Sequence, residues 1–155
     1  MSHPIPSQHI LVVDDEPAIR ETLKMALAFE GHTIELACDG PEALKKLAEQ
    51  KFDIVFTDLK MPEMPGHELA RCIKNKYPYQ VVIMVTAYAG FLSPPQEKKT
   101  NPVDFFLEKP FELKTIVSAV RRAHEINKAN RKRLYSLLLG QAHPLDPNQR
   151  LTPAH

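Results

Sequence analysis

Residues 54–62 read Ile-Val-Phe-Thr-Asp-Leu-Lys-Met-Pro, a short apolar run followed by a charged residue and a turn. A short apolar run of this kind is typical of a strand that is buried on both faces of a sheet. The run ends on a carboxylate, Asp58, and a turn containing Met61 and Pro62 follows. Because open α/β sheets bind their ligands at the carboxyl ends of the strands, Asp58 is placed where a functional side chain is expected.

Three other apolar runs also end on side chains that can bind a cation or a phosphoryl oxygen. These side chains are Asp14 and Asp15 after the first run, Thr86 after the fourth, and Lys109 after the fifth. If the strands lie side by side, three carboxylates, a hydroxyl and an ammonium meet at one edge of the sheet.

Segments with helical spacing separate these runs, so strand and helix alternate along the chain. This alternation predicts an α/β fold, a doubly wound (βα)5 parallel sheet with right-handed crossovers. A strand order of 2-1-3-4-5 brings the first and third strands together at the switch point. The proline-rich stretch 90–102 predicts a short or disrupted fourth helix, because an interior proline costs ~3 kcal/mol. An extended last helix is expected from Phe111 to Gly140.

The composition is that of an ordinary globular protein: 155 residues, 43% hydrophobic and 25% charged. No apolar run approaches the roughly 20 residues of a membrane span, and residues 1–9 lack the pattern of a secretory signal. Cys38 and Cys72 show no metal-ligand spacing and are expected to be buried or half-buried free thiols. These features predict a cytoplasmic protein that does not contact a membrane.

Charge is distributed unevenly. Residues 111–155 hold eight Lys or Arg against three acids, a net +5, which leaves −4 on the first 110 residues. The basic part is the predicted last helix, which could contact an acidic partner or nothing at all.

Asp14, Asp15 and Asp58 together carry a charge of −3, and carboxylates that crowd together need a cation to stay ionised. Ligands that are all oxygen suit Mg²⁺. With Lys109 also present, a carboxylate oxygen of Asp58 could attack a phosphoryl group, and Thr86 could donate its hydroxyl to that group. The alternative is that each acid is a solvated loop residue or a helix cap.

Four motifs carry a resemblance to a known family. They are Val13-Asp14-Asp15-Glu16, Thr57-Asp58-Leu59-Lys60-Met61-Pro62 with Gly66, Val85-Thr86-Ala87, and Glu108-Lys109-Pro110-Phe111. In order and spacing they resemble the receiver domain of two-component response regulators, over about residues 8–125. The resemblance implies a flavodoxin-like fold.

It further implies that Asp58 accepts a phosphoryl group from a sensor histidine kinase or a phosphotransfer protein. Mg²⁺ would be held by Asp15, Asp58 and the backbone carbonyl of Lys60, with Asp14 acting through water. Thr86 and Lys109 would bind the phosphoryl oxygens, and the Lys109–Pro110 bond is expected to be cis. Such a domain is not an enzyme beyond its own phosphoryl transfer and dephosphorylation.

The resemblance also implies a switch, in which Thr86 moves toward the phosphoryl group and an aromatic residue of the fifth strand turns inward. That aromatic residue is Phe106, for which the alternative is a plain core position. Because the stretch 90–102 departs from the family pattern, we hypothesise that this segment is a mobile or rebuilt loop and that signalling uses another face.

Residues 126–140 are interpreted as a helical extension and residues 141–155 as a loose tail. Apolar and amide residues repeat along the last helix at heptad spacing. They are Ile116, Val120, Ala123, Asn127, Asn130, Leu134 and Leu137. This seam predicts a homodimer through Leu134 and Leu137; the alternative is a linker or a frayed helix end. The basic run Arg131–Arg133 is a feature also found in DNA-binding segments. Too few residues follow Gly140 for a helix-turn-helix module, however, and this argues against direct binding of DNA.

The leading hypothesis is therefore a phosphorylation-controlled two-state switch. The alternative is a constitutive interaction or dimerisation module that has kept the fold and lost switching. A phosphatase resembling haloacid dehalogenases is a third hypothesis, although Asp14-Asp15-Glu16 does not match their D-x-D motif. A nucleotide-binding fold is disfavoured, since no glycine-rich phosphate loop follows any strand.

Overall fold

The computed structural model describes residues 4–87 and 102–140. Its strands are β1 His9–Val13, β2 Thr33–Ala37, β3 Ile54–Asp58, β4 Val81–Thr86 and β5 Phe105–Glu108. Its helices are α1 Pro17–Phe29, α2 Gly40–Glu49, α3 Gly66–Lys76 and α4 Leu113–Leu138. All neighbouring strands are parallel, in the order β2-β1-β3-β4-β5, which confirms the predicted doubly wound sheet.

Two apolar cores cover the two faces of the sheet. On one face, Ile10, Ile54 and Ile83 pack with α1 and α4; on the other, Leu11 and Val82 pack with α2 and α3. Strands β3 and β4 are buried along their whole length, because neighbouring residues of a strand point to opposite faces and both faces are covered.

The register of the strands brings their carboxyl ends to one edge. Val13 lies opposite Thr57, so Asp14 and Asp58 follow at the same level. Thr86 lies opposite Glu108, and Lys109 is the next residue. The sequence prediction that these side chains share one edge is therefore confirmed.

Helix α4 is the extended last helix, although it begins at Leu113 rather than at Phe111. Its first half buries Ile116, Val120 and Ala123 against the sheet. The predicted heptad seam does not continue outward from there. The amide of Asn127 donates to the carbonyl of Asp53 at 2.9 Å, and that of Asn130 donates to the carbonyl of Tyr79 at 3.4 Å. The two asparagines thus bond this domain's own loops instead of facing a partner helix.

Three further predictions meet the structure at single positions. Cys72 is half-buried as expected, but Cys38 is exposed, since it follows the last residue of β2 at the edge of the sheet. Residues 90–101 of the predicted rebuilt loop 90–102, and the predicted tail 141–155, lie outside the described residues. Within residues 4–87 and 102–140, no helix has the length and apolar character to cross a membrane.

Candidate functional site

The three carboxylates predicted to form a site do converge. One oxygen from each of Asp14, Asp15 and Asp58 lies within 4.8 Å of the other two. Asp14 is almost fully buried and Asp58 is 9% exposed, whereas Asp15 faces solvent. The cluster is therefore accessible to solvent at Asp15 and buried against the sheet at Asp14 and Asp58.

Lys109 lies between the two buried carboxylates. Its Nζ is 3.2 Å from Oδ2 of Asp14 and 3.4 Å from Oδ1 of Asp58. The backbone N–H of Lys109 donates to the carbonyl of Thr86 at 2.9 Å, which fixes the start of this loop to the end of β4. The Lys109–Pro110 peptide bond is cis, as the resemblance implied. Thr86 itself is buried at the same edge.

Burial and the neighbouring charges together shift the pKa values of Asp58 and Lys109. Burial raises the pKa of Asp58, and the negative charge of Asp14 raises it further, against the opposing effect of Lys109. Burial alone would lower the pKa of Lys109, but the charges of Asp14 and Asp58 outweigh it, and the pKa of the ammonium rises. Lys109 is thus held protonated, while Asp58 is a carboxylate whose charge is incompletely balanced.

The loop after β3 is tied closely around Asp58. The N–H of Leu59 donates to Oδ1 of Asp58 at 2.9 Å, and the N–H of Gly66 donates to the carbonyl of Leu59 at 2.8 Å. A Cβ at Gly66 would collide with the carbonyl oxygen of Asp58, so only glycine fits there. Lys60 is exposed on this loop, and the metal-binding role of its carbonyl stays a prediction.

Two contacts to Asp14 were missed by sequence reasoning. Nη1 of Arg20 donates to the carbonyl of Asp14 at 2.6 Å, and the N–H of Glu16 donates to Oδ1 of Asp14 at 2.9 Å. The signal for Arg20 was its place in the first turns of α1, one helix turn past Pro17. An arginine there is also an ordinary solvated residue, so the sequence alone did not single it out.

Phe106, the predicted switch aromatic, is 37% exposed, while its neighbours Phe105 and Leu107 are buried. The alternative of a plain core position is therefore wrong for Phe106. The Phe105 ring lies 4.3 Å from the guanidinium carbon of Arg122. The switching role of Phe106 stays a prediction.

The donor set fits a hard divalent cation. All three side chains offer oxygen, and the single ammonium of Lys109 leaves a net negative charge among these four groups. Mg²⁺ prefers one or two carboxylates and keeps several waters, which suits a cluster with one exposed member. Asp14, Asp15 and Asp58 are the residues that would hold it.

The response regulator receiver domain family matches residues 10–121 of this chain. The chain belongs to this family. Receiver domains are the signalling switches of two-component systems. The order of the strands is thus that of a receiver domain.

Two curated relatives illustrate the similarity. The response regulator protein FleR of Pseudomonas aeruginosa is 34% identical over 113 residues, which are 73% of this chain and 24% of FleR. The response regulator MprA of Mycobacterium ulcerans is 36% identical over 115 residues, which are 74% of this chain and 49% of MprA. The chain thus spans half or less of the length of these relatives.

Solved receiver structures are also similar. Response regulator TrrA of Thermotoga maritima, in complex with Mg²⁺ and BeF, has a TM-score of 0.68 at 37% identity and covers 75% of this chain and 98% of its own. The chemotaxis response regulator CheY4 of Vibrio cholerae has a TM-score of 0.67 at 29% identity, with 76% of this chain and 99% of its own covered.

Proposed function

We propose that this receiver domain accepts a phosphoryl group on Asp58 from the phosphohistidine of a sensor histidine kinase or a phosphotransfer protein. The observation that carries the proposal is the meeting of three carboxylate oxygens and the Lys109 ammonium at one edge of the sheet. Mg²⁺ is the proposed cofactor, since the donor set is all oxygen. The similarity to TrrA, solved with Mg²⁺ and BeF, supports this choice.

In the proposed reaction, a carboxylate oxygen of Asp58 forms a bond to phosphorus while the phosphorus–nitrogen bond of phosphohistidine breaks. The leaving imidazole nitrogen keeps the electron pair of that bond. Oδ1 of Asp58 contacts Leu59 and Lys109, so we assign the new bond to Oδ2. Bound Mg²⁺ would neutralise charge on the transferred oxygens.

Lys109 and Thr86 complete the proposed site. The Lys109 ammonium is positioned to turn from the two carboxylates toward a phosphoryl oxygen, and the Thr86 hydroxyl would donate to another. Movement of Thr86, with Phe106 turning inward, is the proposed switch between two pre-existing states. The cytoplasm is the proposed location, as a phosphodonor partner of this type requires.

A homodimer through the last helix is a second, separate proposal. Leu134 and Leu137 are 41% and 58% exposed, and Tyr135 and Leu138 beside them are more exposed still. With Asn127 and Asn130 bonded to the domain, only these last turns remain for pairing. A mass that does not change with concentration in light scattering would contradict the dimer.

Phosphorylation by a small phosphodonor tests the main proposal. Acetyl phosphate and Mg²⁺ are expected to add one phosphoryl group to the wild type, measured by intact mass, and none to Asp58→Ala. Asp53→Ala is the matched control, because Asp53 immediately precedes the same strand, at the end away from Asp58, and it should be phosphorylated like the wild type. Phosphorylation of Asp58→Ala, or none of the wild type, would contradict the proposal and favour a constitutive interaction module.

A further inference from the structure

A groove of about 640 Å³ lies at the edge of the sheet opposite the carboxylate cluster. It forms where the second half of α4 passes over the loops that precede β3 and β4. We call it the α4 groove. Its main lining residues are Lys51, Phe52, Lys76, Tyr79, Arg131 and Leu134.

The walls of the α4 groove are held in place by hydrogen bonds. Asn127 and Asn130 tie α4 to the loops through the carbonyls of Asp53 and Tyr79. On the opposite wall, the hydroxyl of Tyr77 donates to the carbonyl of Leu47 at 3.2 Å. The groove is therefore formed before any partner arrives, which lowers the entropic cost of binding.

Three cations surround an apolar floor. Lys51, Lys76 and Arg131 are exposed, and within residues 4–87 and 102–140 none of them forms an ion pair. Asp53 is the one acid that lines the groove, and its Oδ2 already accepts the N–H of His9 at 2.8 Å. The groove therefore offers positive charge at its rim and apolar surface within.

We propose that the α4 groove binds an acidic protein segment that inserts an apolar side chain between Tyr79 and Leu134. The cations at the rim would pair with its carboxylates and steer its approach. Because this surface shares no residue with the carboxylate cluster, the interaction is a second function of the domain and does not require phosphorylation of Asp58.

Charge argues against a second copy of this chain as the occupant of the groove. The proposed dimer pairs the ends of two α4 helices outside the groove, and it would compete with an acidic segment at the shared residue Leu134. The free end of α4 carries Lys128 and the run Arg131–Arg133, and it would bring these cations to the Lys51 and Lys76 side of another groove. Like charges placed close together oppose such pairing.

The aromatic residues argue against single-stranded nucleic acid, which binds through exposed rings on which bases stack. Phe52 is only 7% exposed, and the ring of His9 lies 4.4 Å from it. Tyr77 is half-buried and hydrogen-bonded, which leaves Tyr79 as the exposed ring of the groove. One ring does not make a stacking platform.

Fluorescence anisotropy tests the proposal on the full chain. The ligand is a labelled synthetic peptide of glutamates and aspartates around a central Leu-Phe pair. Arg131→Glu and Lys76→Glu are each expected to weaken its binding by about tenfold or more, since each reverses a charge at the rim. Lys132→Glu is the matched control, because it makes the same charge change at the next residue of α4, outside the groove, and should change binding by less than about twofold.

A second pair of variants tests the apolar anchor. Leu134→Ser is expected to weaken peptide binding by about tenfold, whereas Leu113→Ser, an exposed position at the start of the same helix and outside the groove, should leave it unchanged. Circular dichroism melting shows that each variant is folded, and Lys76→Glu serves alone if Arg131→Glu does not fold.

Several results would overturn the proposal. The first is that Arg131→Glu and Lys132→Glu weaken peptide binding equally. The second is that a peptide whose Leu-Phe pair is replaced by serines binds as tightly as the original peptide. The third is that oligothymidine binds more tightly than the acidic peptide. A concentration-dependent dimer that Leu134→Ser abolishes, without any peptide binding, would assign the groove to a second copy instead.

Discussion

A single ammonium group, that of Lys109, balances the two buried carboxylates of the site. It lies 3.2 Å from Asp14 and 3.4 Å from Asp58, and both charges raise its pKa. Burial raises the pKa of Asp58, the charge of Asp14 raises it further, and the ammonium of Lys109 does not cancel these two effects. Without a metal ion, the ionised form of Asp58 is therefore less favourable in the folded protein than in the unfolded chain, and a bound divalent cation would stabilise it.

The raised pKa of Asp58 predicts the effect of pH on stability. Because the folded state holds this proton more tightly than the unfolded state, the metal-free protein loses stability as pH rises from the ordinary aspartate pKa through the raised one. Asp58→Asn removes this loss and is expected to raise the melting temperature at neutral pH without Mg²⁺. Glu49→Gln, an exposed position on α2, is the control and should have no effect. A lower melting temperature for Asp58→Asn would contradict the account.

Replacement of Lys109 should lower the stability of the protein at neutral pH without Mg²⁺. Lys109→Met leaves Asp14 and Asp58 without their ammonium and is expected to cost about 2 kcal/mol of unfolding free energy at neutral pH. Urea unfolding measures this loss, and Mg²⁺ should reduce it, since the cation replaces part of the missing charge. Lys132→Met, at an exposed position of α4, is the control. A loss that Mg²⁺ leaves unchanged would argue against the shared role of the two cations.

At the scale of elements, the loop between β3 and α3 depends on one glycine. The Gly66 N–H bonds the carbonyl of Leu59, and its α-carbon packs against the backbone of Asp58. The start of α3 and the end of β3 are thus in direct contact. A substitution at the start of α3 is therefore expected to shift the end of β3.

Gly66→Ala should therefore disturb both the fold and the site. The added methyl meets the carbonyl oxygen of Asp58, and we expect a loss of about 1–3 kcal/mol in urea unfolding together with slower phosphorylation by acetyl phosphate. Gly140→Ala is the comparison, because its cost is only the positive φ of 67° at the end of α4. It should leave phosphorylation unchanged. Normal phosphorylation of Gly66→Ala would show that the loop tolerates the shift.

The second element-scale feature is the attachment of α4 to the loops before β3 and β4. Asn127→Ala removes a hydrogen bond of 2.9 Å and should cost about 1 kcal/mol of unfolding free energy. Amide hydrogen exchange in residues 126–138 should also become faster. Asn75→Ala, exposed on α3, is the control. Unchanged exchange in Asn127→Ala would mean that apolar contacts alone hold the helix end.

At the scale of the whole molecule, the two edges of the sheet carry opposite charge. The carboxyl edge holds Asp14, Asp15 and Asp58, and the amino edge holds the α4 groove with its three cations. Of the three cations only Arg131 belongs to the basic C-terminal part of the sequence, so this separation is produced by the fold and not by the charge difference along the chain. It gives one small domain two surfaces of different chemistry, one for phosphoryl transfer and one for an acidic partner.

Whether a contact could be predicted from the sequence depends on whether a sequence pattern marks the residues that form it. The sheet order and the Asp14–Asp58–Lys109 cluster could be predicted, because strand periodicity places strand ends together and their polar residues stand out there. The bonds of Asn127 and Asn130 could not, since an amide at a heptad position fits a partner helix as well as a distant loop. Arg20 was missed for the same reason: an arginine on α1 has no local feature that marks its contact.

The most direct measurement is a magnesium titration of the metal-free protein, followed by NMR and by thermal unfolding. We expect saturable shifts centred on the amides around Asp14, Asp15 and Asp58, and about 2.7 kcal/mol of added stability at a hundredfold excess over the dissociation constant. Asp58→Asn should lose most of both effects. Spectra and melting curves that do not change with magnesium would contradict the claim that these carboxylates form a cation site that prepares Asp58 for phosphorylation.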